Sequence, residues 1–78
     1  MELAVDSRLI ELIAEKAEIE PGELNLDSTF EKLGLDSLHL MEIALWVRKE
    51  YGVDIPEGDL QYDQTARAGL DYLMDKVR

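Results

Sequence analysis

Apolar residues recur at helical spacing in three stretches of the chain, and nowhere in the strict alternation a strand needs. From Val5 to Ala17, the residues Val5, Leu9, Leu12 and Ile13 fall at i, i+4, i+7 and i+8, with Ile10, Ala14 and Ala17 widening the face. That pattern predicts a first amphipathic helix. Pro21-Gly22 ends it and opens a connection of roughly Ile19 to Asp36. The connection carries Leu24, Leu26, Phe30, Leu33 and Leu35, more apolar groups than a free linker holds. It reads as a structured loop pinned to the core, with Phe30 its main anchor. Loops of this length in small domains are usually functional.

A second helix is predicted from about Ser37 to Tyr51, closed by Gly52 in the position after the last turn. VDIPEGDL follows as a turn, with Pro56 starting a short helical piece around Glu57–Tyr62. Thr65 caps a last helix reaching Lys76, with Ala66, Leu70, Leu73 and Val77 on one face. Gly69 lies inside that helix and costs about 1 kcal/mol relative to alanine. No internal repeat is present. The expected fold is all-α, one domain over residues 1–78: a small bundle of three main helices plus one short helix, with a long structured loop between the first two.

The second helix carries two apolar stripes. Leu40, Ile43, Ala44, Val47 and Tyr51 form the face a bundle core needs. Leu38, Met41 and Leu45 form another, rotated away, flanked by Glu42 and ending near Arg48 and Lys49. A broad core can absorb both stripes; if it does not, the second is a docking surface ringed by charge. Trp46 belongs to neither stripe, and its place is against the first helix or over the long loop.

Composition narrows the chemistry. The chain has 78 residues, so its core is marginal unless well-formed helices pack it closely. It has no cysteine and one histidine, His39, which leaves no disulfide, thiol nucleophile or His-rich metal cluster. Eighteen acidic against eight basic residues give a formal charge of −10, which repels phosphate backbones and disfavours nucleic acid. No apolar run approaches the ~18 residues of a membrane span. These features lead us to expect a soluble, cytoplasmic monomer.

Ser37, between Asp36 and Leu38 at the start of the second helix, is the residue that calls for a reason. No base stands ready to activate it, since His39 is two residues on and points to a different side of a helix. A self-contained hydrolase is therefore not expected. Asp36 or Ser37 serves as an N-cap on the usual preference. Equally, a helix N-terminus stabilises an anion, so a hydroxyl there suits modification to a phosphate ester.

LGLDSL, then a helix ending Glu50-Tyr51-Gly52, then VDIP, closely resembles the acyl carrier protein family, and the likeness runs over nearly the whole chain. The resemblance implies that Ser37 receives a 4′-phosphopantetheine arm from coenzyme A through a phosphopantetheinyl transferase. It implies that the arm's thiol holds acyl groups as thioesters, which accounts for the missing cysteine, and that the protein is not an enzyme. By the same resemblance, Asp36 helps present the serine to the transferase. Leu38, Met41, Glu42 and Leu45 match the positions that dock on partners: ketosynthase, acyltransferase and other acyl-processing enzymes with basic patches. Ile43, Val47, Leu60 and Tyr62 are the implied lining of an acyl pocket.

Three residues depart from the fatty-acid type. His39, Arg48 and Lys49 stand where acidic residues are common in those carriers. Between Asp36 and Asp63 there are still seven acids against two bases, but the far edge of the docking helix is positive. This favours a discrete carrier of polyketide or specialised fatty-acyl biosynthesis over one of primary fatty-acid synthesis. A non-carrier helical interaction module, with Ser37 as a mere cap, is the reading from another class.

Overall fold

The computed structural model describes residues 3–77, with side chains from Ser7 to Val77. Helix α1 spans Leu3–Ala17, α2 spans Ser37–Tyr51 and α3 spans Ala66–Val77. No strand occurs among the described residues; an isolated antiparallel bridge joins Thr29 to Thr65. The all-helical class and the three predicted helices are as expected from the periodicity. The side chain of Val5, assigned to the face of α1, lies outside the described residues.

Each helix ends where its local chemistry dictates. Helix α1 stops at Glu18, whose φ of 61° is left-handed, and Ile19 N–H turns back to the Ala14 carbonyl at 3.0 Å. Gly52, with φ of 69°, closes α2 by donating to the Arg48 carbonyl at 2.8 Å. Thr65 caps α3, its hydroxyl accepting the Ala68 N–H at 3.1 Å.

The short helix sits elsewhere than predicted. Pro21–Glu23 forms a single 3-10 turn inside the long connection, while the residues around Glu57–Tyr62 form turns. Gly58 explains this, because its φ of 95° lies outside helical space, and Asp59 N–H closes a tight turn onto the Pro56 carbonyl at 3.2 Å.

Among the described residues, every fully buried one is apolar. Leu9, Leu12, Ile13 and Ala14 from α1 meet Leu40, Ile43 and Val47 from α2 and Ala66, Leu70 and Leu73 from α3. Phe30 and Leu35 enter from the connection, and Ile55 and Leu60 from the segment before α3. Phe30 is the anchor the sequence implied, at 1% exposure. Its ring lies over Gly69, where a β-carbon would stand 2.4 Å from the Phe30 Cζ. The glycine that weakens α3 locally is thus the one that lets the connection dock. Backbone bonds fix the same junction: Phe30 N–H to the Gln64 carbonyl at 3.1 Å, and Ala66 N–H to the Ser28 carbonyl at 2.8 Å.

Trp46 lies against α1, with the Arg8 guanidinium 5.5 Å from its ring centre and Tyr51 edge-on at 5.9 Å. Arg8 also pairs with Glu50 at 2.6 Å, tying the start of α1 to the end of α2.

Candidate functional site

The connection delivers Ser37 by a sharp reversal at Gly34, whose φ of 85° only a glycine adopts freely. Gly34 N–H reaches the Glu31 carbonyl at 3.0 Å and Leu35 N–H the Phe30 carbonyl at 2.9 Å. With Phe30 and Leu35 buried on either side, the chain leaves the core at Asp36 and enters α2 at Ser37. Ser37 is exposed on the first turn, where backbone N–H groups lack intrahelical acceptors.

Asp36, not Ser37, is the N-cap. Its Oδ1 accepts the His39 N–H at 3.1 Å, while His39 Nδ1 lies 3.3 Å from the Asp36 backbone nitrogen and 2.9 Å from Oδ1. The pair forms a reciprocal capping box in which histidine takes the place of the usual Glu or Gln. The His39 backbone N–H holds the Asp36 carboxyl below its ordinary 3.8, against a smaller opposing desolvation, with added help from the imidazole and the Leu38 N–H. Sequence reasoning placed His39 on another side from Ser37 and found no role for it. The spacing of three from an N-cap aspartate was the signal that could have found it.

The second stripe of α2 is left outside the core. Leu38, Met41 and Leu45 are 59%, 56% and 51% exposed. Glu42 beside them reaches back to Lys16 of α1 at 3.0 Å. Arg48 and Lys49 are exposed at the far end and form no ion pair among the described residues.

A cleft of about 630 Å³ runs along this flank of α2, opposite the segment from Asp54 to Leu60. Ser37 stands at one end of its lining and Arg48 at the other; the walls are Leu38, Leu40, Met41, Ala44 and Leu45 against Ile55, Pro56 and Leu60. Of the four implied pocket residues, Leu60 alone lines this cleft. Ile43 and Val47 are fully buried in the centre of the core face, and Tyr62 is half-exposed beyond the cleft. The helix turns about 100° per residue, so the centre of its buried face points into the core while the cleft opens on its flank. Ala44, which its spacing assigned to the core face, lines the cleft on that flank.

The site therefore offers an exposed hydroxyl at a helix N-terminus, a fixed carboxylate beside it and an apolar cleft leading away. It fits a phosphate ester at Ser37 with a long flexible substituent: the helix end tolerates the charge, and nothing crowds the exposed serine. Among the described residues no cluster of His, Asp or Glu could hold a metal ion, and no helix is long and apolar enough to cross a membrane.

Comparison with known proteins agrees with this geometry. Residues 7–73 match the family described as phosphopantetheine attachment site. The chain is 31% identical to acyl carrier protein 2 of Pseudomonas aeruginosa, over 94% of both chains. It is 35% identical to the acyl carrier protein of Treponema pallidum, over 90% of this chain and 91% of that one. Fold and matches define a carrier domain with a covalent phosphopantetheine, not a catalyst. The chain belongs to the acyl carrier protein family. Proteins of this kind work with a phosphopantetheinyl transferase and with acyl-processing enzymes.

Proposed function

We propose that Ser37 is the attachment point of the arm and that this carrier serves polyketide or specialised fatty-acyl biosynthesis in the cytoplasm. The observation that carries the first part is the exposed Ser37 hydroxyl on the opening turn of α2, beside a capped Asp36 and at the head of an apolar cleft. In loading, the Ser37 oxygen bonds to the phosphorus of coenzyme A's pantetheine phosphate. The bond to the adenosine bisphosphate leaving group breaks, and the hydroxyl proton goes to a base of the transferase. The bound group supplies a thiol on a flexible tether, which raises the local concentration of cargo each partner meets.

The protein's own residues then do three things. The first turn of α2 supports the phosphodiester charge. Leu38, Met41 and Leu45 offer apolar contact to a partner, with Glu42 a charge for basic groups to find. The cleft from Leu38 to Leu60 gives an apolar acyl chain a place to fold back out of water, in which Leu60 takes the role the resemblance implies.

The specialised pathway is supported by Arg48 and Lys49, which make the far end of the docking face positive, and by the internal pairing of Glu42 with Lys16. A partner relying only on basic residues meets a less negative helix here. The test is reconstitution: holo-protein, and Ser37→Ala as control, offered to a ketosynthase of fatty-acid synthesis and to ketosynthases of polyketide assembly. Efficient extension by the polyketide enzymes alone supports the proposal. Efficient extension by the fatty-acid enzyme alone assigns the carrier to primary synthesis.

A further inference from the structure

Loading is where the Asp36–His39 pair has consequences, because one imidazole nitrogen faces two groups of the same aspartate. Nδ1 lies 3.3 Å from the Asp36 backbone nitrogen, a donor, and 2.9 Å from Oδ1, an acceptor. A nitrogen cannot serve both. With its proton on Nε2, the neutral ring accepts the Asp36 N–H through Nδ1, and the carboxylate keeps its full charge, held by the His39 backbone N–H at 3.1 Å. With its proton on Nδ1 instead, the ring donates to Oδ1 and the Asp36 N–H is left to water; in either form the imidazole holds Asp36 at the head of α2.

We propose that His39 is a positioning residue for the loading of Ser37: it fixes the Asp36 carboxylate beside the serine in the orientation the transferase meets. The inference rests on the reading of Ser37 as the attachment site and of Asp36 as a group the transferase meets. The carboxylate is exposed enough for such contact, with 69% of the side chain open to solvent against 36% for His39. Glu42, one turn further along α2, pairs with Lys16 of α1 at 3.0 Å, and the ring's contact is with Asp36 at 2.9 Å.

Glutamine at this position keeps the box: its oxygen accepts the Asp36 N–H and its amide donates to the carboxylate. The experiment follows phosphopantetheine transfer from coenzyme A to the apo-protein by a broad-specificity transferase, with wild type, His39→Ala and His39→Gln compared. His39→Ala raises KM by about three- to tenfold, the worth of one hydrogen bond, with kcat kept, and His39→Gln restores it. The proposal is overturned if His39→Ala loads like wild type, or if His39→Gln loads as poorly as His39→Ala. Thermal melts of the three proteins separate a loading defect from a folding one, and His39→Gln keeps the test valid if His39→Ala melts early. A wild-type protein that takes no phosphopantetheine contradicts the attachment reading instead.

Discussion

Gly69→Ala sets two effects of opposite sign against each other. In an ordinary helix interior the change is stabilising by about 1 kcal/mol, because alanine loses less backbone freedom. Here the new methyl would stand 2.4 Å from Phe30 Cζ and 2.6 Å from Cε2, where carbon atoms at rest keep about 3.5–4.0 Å. The ring has no free space to yield into, being 1% exposed and held by the Phe30 and Leu35 backbone bonds. Overpacking of this kind costs about 1–3 kcal/mol, and an overlap above 1 Å belongs at the upper end. The net expectation is a loss of about 2 kcal/mol, or roughly 8–16 °C in Tm for a domain of this size. Circular dichroism melts of wild type, Gly69→Ala, Phe30→Ala and the double variant form the assay. Phe30→Ala alone costs about 3–5 kcal/mol, and in that background Gly69→Ala turns stabilising. A single Gly69→Ala protein that melts at or above wild type refutes the packing account, as does a double variant whose losses simply add.

Other consequences follow from the caps and charges. Thr65→Val removes the acceptor for the Ala68 N–H and lowers stability by about 1 kcal/mol, read as a Tm drop of roughly 4–8 °C. Burial, then the hydrogen bond and charge of Asp59, push the Tyr72 phenol up to about 12, so the ultraviolet titration of Tyr72, read as the difference from Tyr72→Phe, runs late, and Asp59→Asn brings it down toward 10.0. Since that folded value is raised, the stabilisation is complete below pH 10.0 and disappears as pH climbs to about 12. Asp36 has the opposite sign: its carboxyl is depressed when folded, so its stabilisation is complete above 3.8 and is lost as pH falls below, and Asp36→Asn flattens the acid limb of the stability curve. Glu42→Lys exchanges an exposed pair worth about 0–1 kcal/mol for two adjacent lysines, so the melt barely moves while transfer by basic partners slows; unchanged partner kinetics count against charge-steered docking.

Most of this architecture was legible in the chain because helical periodicity and end signals agree. The apolar spacing located α1, α2 and α3, and Gly52 and Thr65 marked their limits. Phe30 was recognisable as an anchor because a large aromatic in a long polar connection has few other uses. Its partner Gly69 was not, since sequence records the weakness of glycine in a helix but not the ring that needs the gap. The segment after Pro56 misled because helical residues surround Gly58, whose left-handed backbone breaks the run. The exposed stripe was legible from spacing on α2, and Ser37 and Asp36 stood out at its start, with a role beyond capping suggested only by the family resemblance, whereas the cleft needed the actual rotation of α2 against the Ile55–Leu60 wall. The Lys16–Glu42 pair depends on the register of α1 against α2, which no local pattern reveals.

The most direct test of the account is the intact mass of the apo-protein after incubation with coenzyme A and a broad-specificity phosphopantetheinyl transferase, wild type beside Ser37→Ala. The account predicts a gain of a single phosphopantetheine in wild type and none in the variant. An equal gain in a folded Ser37→Ala protein contradicts the assignment of Ser37; no gain in wild type, with the cognate transferase as well, leaves the serine as part of a helix start and no more.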